Sequence, residues 1–173
     1  MKKLFSCAIF AMLMATPLFL VSCGDADDML PEESDTSKPT ITSWTEPFHD
    51  NGGSVDAVKS YMASSMPRYS LVNETTGMSS IQLTYATGSF TEGVIYSFSG
   101  TTGSLYSVID TELTVNKTII FKYLNEHYTL IPGSTSNESM LQYRFTNSDR
   151  SIVISTMKVS ETCFNIDYSF ISK

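Results

Sequence analysis

The sequence predicts an α+β domain in which an antiparallel sheet carries two helices on one face. Short segments alternate between apolar and polar residues, as Ile81 to Tyr85 do, and turn residues such as Pro132-Gly133 separate them. Two other stretches have apolar residues at helical spacing. The same order of segments occurs twice along the chain, which indicates a tandem duplication of a unit with one helix and four strands.

The two copies of the predicted unit span residues 54–112 and 114–173. Matching segments lie 58 to 60 positions apart and keep the same order. They pair residues 69–71 with 128–130, 81–85 with 141–145, 94–97 with 152–155, and 105–109 with 164–168. Identity between the copies is low, so the argument depends on spacing. Two helices layered on about eight strands follow from it.

The first helix is predicted to begin after Ser54, because a serine hydroxyl can accept a hydrogen bond from the backbone of the first turn. Val55, Val58 and Met62 then share one face of the helix, and Pro67 ends it.

The second helix is predicted at residues 115–127. Its β-branched residues also fit a strand. Ile120 and Leu124 keep helical spacing, and the repeat favours the helix.

In the strands, apolar side chains are predicted to face the helices. Ile81, Leu83 and Tyr85 point inward in this prediction, whereas Gln82 and Thr84 face water. The corresponding inward residues of the second copy are Leu141, Tyr143 and Phe145.

Residues 1–22 have the pattern of an export signal, in which Lys2 and Lys3 precede a mainly apolar stretch. The stretch ends in Leu20-Val21-Ser22-Cys23, which resembles the lipobox of bacterial lipoproteins. The resemblance implies that Cys23 is lipidated, that the peptide before it is removed, and that the acyl chains hold the protein on a membrane. An uncleaved membrane helix and an ordinary signal peptide are the alternatives. Pro17 and the position of Cys23 argue against both.

Residues 23–39 form a predicted acidic tether, since six of the 18 acidic residues lie within positions 25–35. An acidic run directly after the lipidated cysteine resembles the surface-export signal of lipoproteins from Bacteroidota. Gly24 occupies the position at which an Asp retains lipoproteins at the inner membrane of enteric bacteria. We therefore expect outer-membrane attachment with surface display of the globular domain, residues 40–173. A solvated linker is the simpler alternative.

The composition excludes several functional classes. Of the 173 residues, 42% are hydrophobic and 17% are charged, and the formal net charge is −7. Disordered chains contain fewer apolar residues, and nucleic-acid-binding proteins of this size are usually basic. We expect a single globular domain with no nucleic-acid partner.

No sequence motif indicates a catalytic residue, a metal site or a cofactor. His49 and His127 are the only two histidines, and no ligand spacing surrounds them. Asp110, Glu112 and Asp167 can form carboxylate pairs only through the fold, and we assign them no catalytic role.

The three cysteines do not predict a disulfide in the mature chain. Cys7 lies in the signal and Cys23 in the lipobox, which leaves Cys163 alone. Because Cys163 lies in an apolar alternating segment, we expect a buried and unreactive thiol rather than a nucleophile.

Trp44 and Phe48 are the weak candidates for a binding site. They lie ahead of the first helix and outside the repeat. These aromatic side chains either fasten their segment to the sheet or form an exposed rim that binds a protein or glycan.

The predicted topology is similar to that of β-lactamase inhibitor protein-like domains, although no motif residue of that family is present. We expect a non-enzymatic, lipid-anchored module that binds an extracellular protein or glycan. The alternative, by analogy of topology, is an inhibitor of a secreted hydrolase. Exposed aromatic residues on the open sheet face favour the first, and two hairpin tips that project together favour the second.

Overall fold

A computed structural model describes residues 38–133 and 137–171. All of them belong to the compact unit that begins at Asp35. The predicted signal peptide, the lipobox with Cys23 and most of the tether lie outside the described residues.

The domain is an α+β layer with two helices and one antiparallel sheet of eight strands, as predicted. The helices are α1, Val55–Ser65, and α2, Lys117–His127. The strands of the first half are β1 Ser70–Thr76, β2 Ser80–Ala86, β3 Gly93–Ser99 and β4 Leu105–Leu113. Those of the second half are β5 Thr129–Leu130, β6 Tyr143–Thr146, β7 Ile152–Lys158 and β8 Cys163–Phe170. The strand order is β1-β2-β3-β4-β8-β7-β6-β5.

The core lies between the helices and one face of the sheet. Val58 and Met62 of α1 and Ile120 and Leu124 of α2 are all buried in the same cluster. One row of facing strand residues meets them, because directly paired residues share a face. That row consists of Leu83, Tyr96, Val108, Tyr168, Ile154 and Phe145.

Both helices form where the sequence predicts them. The Ser54 hydroxyl accepts a hydrogen bond from the backbone N–H of Ala57 at 3.2 Å and caps α1. A short 3-10 turn, Thr114–Asn116, precedes α2.

One strand begins later than expected. Leu141 has a φ of 50° at the end of a 3-10 turn, so that β6 begins only at Tyr143. Leu141 is buried nonetheless, because the Thr156 hydroxyl donates to its carbonyl oxygen at 2.6 Å and holds this turn on the core.

Residues 38–53, which we call the arm, lie on the helix side of the sheet. The Trp44 ring meets the ring of Tyr123 edge to face at 5.2 Å, and the Phe48 ring meets Tyr61 at 5.7 Å. The arm therefore contacts both helices. A Cβ at position 53 would overlap the Phe48 ring, which explains the glycine there.

The carboxylate of Glu46 fastens the arm through three phenols. Tyr128 donates to it at 2.6 Å, Tyr123 at 3.0 Å and Tyr168 at 3.1 Å, while Tyr61 donates to the Glu46 carbonyl oxygen at 2.7 Å. These donors satisfy a charge that is otherwise buried. Burial and the Glu46 charge raise the pKa of Tyr123 to about 12.

Candidate functional site

Two hairpin tips lie together at one end of the sheet. Residues 87–92 connect β2 to β3, and residues 159–162 connect β7 to β8. The Cys163 thiol lies 3.7 Å from the carbonyl oxygen of Thr91, and the Thr114 N–H donates to the Thr162 carbonyl at 2.7 Å. The end of β4 thus lies between the two hairpins, and the first residue of β8 contacts the β2–β3 turn.

Both tips present an apolar side chain to solvent. Phe90 is 53% exposed and Val159 is 49% exposed. Phe90 also has a φ of 57°, in the left-handed region that bulky residues rarely adopt. Its backbone N–H donates to the Thr87 carbonyl at 2.9 Å, which fixes this conformation within the turn. A strained, outward-facing aromatic residue is a candidate contact for a partner.

The sheet face that the helices do not cover, which we call the open face, carries polar rather than aromatic side chains. Its residues alternate with the core residues along each strand. They include Gln82, Thr84, Ser97, Ser107, Thr111, Asn165, Asp167 and Ser155, with the partly buried Ile95 and Ile109 at the centre. Among the described Phe, Tyr and Trp residues, Phe90 and Tyr106 are the exposed ones.

Three carboxyl groups meet beneath the tips, on the helix side of the sheet. Glu92, Asp110 and Glu112, which we call the carboxyl cluster, are all buried. Asp110 and Glu112 share a face because they are two positions apart on β4, and Glu92 ends the hairpin turn before β3.

Arg68 and several neutral donors surround the carboxyl cluster. The Arg68 guanidinium lies 3.3 Å from Glu92 and 3.5 Å from Glu112. Trp44 Nε1 and the Tyr69 hydroxyl each donate to Glu112 Oε1 at 3.1 Å. Asn116 donates to Glu92 at 3.3 Å.

Some oxygens of the cluster have no hydrogen-bond partner among the described residues. They are both carboxyl oxygens of Asp110 and Oε2 of Glu112. Burial, followed by the charge of Glu92, raises the pKa of Glu112 to about 7 against the opposing effect of Arg68. Burial, followed by Glu112, holds the pKa of Asp110 well above its usual range. These groups therefore retain protons at pH values where ordinary carboxyls are ionised.

A surface groove of about 370 Å³ adjoins the carboxyl cluster. Residues 40–43, 45 and 65–69 line it. The Arg68 side chain is 41% exposed, lines this groove and also contacts the cluster. The cluster thus lies next to solvent but behind the guanidinium.

The structure places the predicted binding residues in the interior. Trp44 is only 6% exposed, and Phe48 packs partly buried against the core. Both side chains therefore fasten the arm to the rest of the domain and do not form an exposed rim.

The remaining candidate residues lie on both faces of the sheet. Asp110 and Glu112 come together, but Asp167 lies on the opposite face, because its neighbours Ile166 and Tyr168 point into the core. Burial raises the pKa of Asp167. Cys163 is a buried free thiol, as expected.

Sequence reasoning did not identify Phe90, Arg68 or Glu92. The Asp110-Thr111-Glu112 spacing did carry a signal, since alternation places both acids on one strand face. No local pattern places Arg68, 44 positions away, beside them.

The described residues contain neither a candidate membrane-spanning helix nor a candidate metal site. Residues 38–133 and 137–171 contain no helix long and apolar enough to cross a membrane. In the same ranges, no group of three or more His, Cys, Asp or Glu residues is placed to hold a metal ion. Comparisons with protein-family models, curated proteins and solved structures found no match to this chain.

Proposed function

We propose that this chain is a lipid-anchored lipoprotein of the bacterial outer membrane, whose domain binds another protein through its two adjacent hairpin tips and catalyses no reaction. The exposed side chains of Phe90 and Val159, on two hairpin turns at the same end of the sheet, carry the binding proposal. Tips that project from a rigid sheet fit a concave partner surface such as a protein cleft. A glycan partner remains the alternative ligand class.

The buried position of the carboxyl cluster supports a role other than catalysis. Asp110 and Glu112 have no exposed surface, so that a substrate in the groove would meet Arg68 before either acid. A general acid has to come within hydrogen-bond reach of the reacting group.

The lipid anchor is supported by the lipobox-like residues that end at Cys23. Replacement Cys23→Ala is expected to abolish incorporation of labelled palmitate and to release the protein from membranes. Cys163→Ala is the matched control, since it removes a buried thiol that is not part of the lipobox sequence and should leave labelling intact. Membrane attachment of the Cys23→Ala protein would contradict the anchor. Protease treatment of intact cells tests surface display, which full protection would refute.

The binding role of the tips can be tested in intact cells. A photo-crosslinking phenylalanine analogue at position 90 should yield a discrete adduct. The control position is Met78, which is 96% exposed at the opposite end of the sheet and should yield none. Absence of an adduct at position 90, or identical adducts at both positions, would contradict the proposal.

A second candidate function is inhibition of a secreted hydrolase. The position of both hairpin turns at the same end of the sheet favours it, because such a pair can plug an active-site cleft. The purified protein should then inhibit at least one enzyme from a panel of secreted hydrolases that includes β-lactamases. Phe90→Ala should weaken that inhibition by tenfold or more, if the ring is a hot spot worth about 1.4 kcal/mol or more.

We also propose that the domain arose by tandem duplication of its helix-plus-four-strand unit. The strand order reads symmetrically outward from the β4–β8 pair, and most segments matched by spacing overlap corresponding strands. The match is not exact, because Leu141 precedes β6 and Ile109 faces the opposite side of the sheet from Tyr168. Superposition of residues 55–113 on 117–170 in an experimental structure tests it. Different strand paths in the two halves would refute it.

A further inference from the structure

The carboxyl cluster connects three separate parts of the molecule. Glu92 belongs to the hairpin that carries Phe90, and Glu112 belongs to the central strand β4. The arm joins them through Trp44, which donates to Glu112, and through Thr40, whose N–H donates to the Asn116 side chain at 2.8 Å. A change within the cluster therefore acts on the hairpin and the arm together.

The charges within the cluster do not balance when every carboxyl is ionised. The cluster would then hold three buried negative charges. Among the described residues, the Arg68 guanidinium is the one cation in hydrogen-bond contact with them. A buried carboxylate without a hydrogen-bond donor is strongly destabilising, and it is stabilised by taking up a proton. The unpartnered oxygens of Asp110 and Glu112 thus indicate proton binding on geometry alone.

The other strands that contact the cluster supply no further cation. Tyr96 of β3 and Tyr168 of β8 face Asp110, and Tyr69 faces Glu112. Burial raises the pKa of each phenol, and the neighbouring acids raise it further. These phenols stay neutral, so that Asp110 and Glu112 are the groups whose raised pKa values matter to the cluster.

We propose that the carboxyl cluster is a proton-dependent latch, which holds the Phe90 hairpin and the arm on the sheet while it is protonated and releases them as it loses protons. Opening exposes Glu112 to water and allows it to ionise. The meaning of this regulation for binding rests on the function proposed for the hairpin tips.

The pH range follows from the two states of Glu112. In the closed state its pKa is about 7, and in an opened state it returns toward the ordinary value of 4.5. Between these values the open state binds fewer protons, so that opening becomes more favourable as the pH rises. Above about pH 7 both states are ionised and the effect levels off.

Hydrogen exchange of the full-length protein tests the latch without any partner. After correction for the intrinsic pH dependence of exchange, amides at 87–92 and 40–45 are expected to lose about tenfold or more of their protection between pH 5 and pH 7. Glu112→Gln, which is neutral at every pH, should remove most of this dependence. The matched control is Asp167→Asn, which neutralises a carboxyl of raised pKa on the opposite sheet face and should leave the dependence intact.

Constant protection at 87–92 across this pH range would overturn the latch, as would an unchanged dependence in Glu112→Gln. If Glu112→Gln does not fold, the pKa of Glu112 in the wild-type protein can be measured instead, from an NMR titration of its carboxyl carbon. A midpoint near pH 7 supports the latch, and one near 4.5 refutes it. Crosslinking at Phe90 involves no pH change, so that failure of the binding role and failure of the latch give different results.

Discussion

At the scale of single residues, two locally unfavourable features lie at one end of the sheet. Phe90 adopts a left-handed conformation, and Glu112 is an acid with no exposed surface. Both features oppose stability, whereas the Glu46 carboxylate nearby receives three phenol donors. Locally unfavourable residues that persist in a well-packed domain are the usual mark of functional positions.

Phe90→Gly is expected to stabilise the domain while it removes the proposed contact residue. Glycine relieves about 1–2 kcal/mol of left-handed strain, and its greater freedom in the unfolded chain offsets part of that gain. The net increase should be about 0.5–1 kcal/mol in the free energy of unfolding, measured in urea. Phe90→Ala retains the strain and should not stabilise. Equal destabilisation by both variants would show that the ring is held by packing.

Glu112→Gln should change how stability depends on pH. In the wild type, the unfolded state releases its proton near 4.5 and the folded state near 7, so that burial of Glu112 lowers the free energy of unfolding as the pH rises between these values. Once Glu112 is ionised in both states, this pKa difference corresponds to a loss on the order of 3 kcal/mol in the free energy of unfolding. Urea unfolding of both proteins from pH 4 to pH 8 measures it. Parallel pH profiles would show that Glu112 titrates normally in the folded protein.

At the scale of elements, tertiary contacts decide what propensity leaves open. Residues 117–120 of α2 include three β-branched residues, yet Ile120 and Leu124 bury a helical face against the sheet. Strand β5 has only two residues, whereas its counterpart β1 has seven exposed residues at the other edge. Helix α1 by contrast begins as its local sequence dictates, at the Ser54 cap.

Ser54→Ala is expected to lower the free energy of unfolding by about 1 kcal/mol, because it removes the acceptor for the Ala57 N–H. Ser64→Ala in the last turn of the same helix is the control. Its exposed hydroxyl donates to the Tyr61 carbonyl and lies 3.3 Å from the Ser65 hydroxyl, and alanine favours the helix. Thermal unfolding of both variants measures the difference. A larger effect at Ser64 than at Ser54 would contradict the capping role.

At the scale of the whole molecule, the two halves share one core. Strands β4 and β8 pair over seven residues at the centre of the sheet, and buried residues of both helices belong to a single cluster. Each half alone would expose the face that it now buries against the other. Units of this size bury too little surface to fold readily by themselves.

Fragments 54–113 and 114–173 are therefore expected to be unfolded when expressed separately, while the complete domain unfolds in one cooperative transition. Circular dichroism and amide NMR dispersion of each fragment test this. A cooperative melt of either fragment would show that the repeat unit is an independent domain.

The sequence by itself determined the two helices, most of the strands and the inward faces of β2 and β6, because hydrophobic alternation and helix capping act over a few residues. The fold class follows from them, whereas the lipid anchor at Cys23 stays a prediction. Only the tertiary structure decided that Trp44 contacts Glu112, 68 positions away, and that Cys163 of β8 contacts Thr91 of the Phe90 hairpin. Such contacts depend on which strands pair in the sheet. Local sequence patterns therefore cannot predict the buried charges that these contacts bring together.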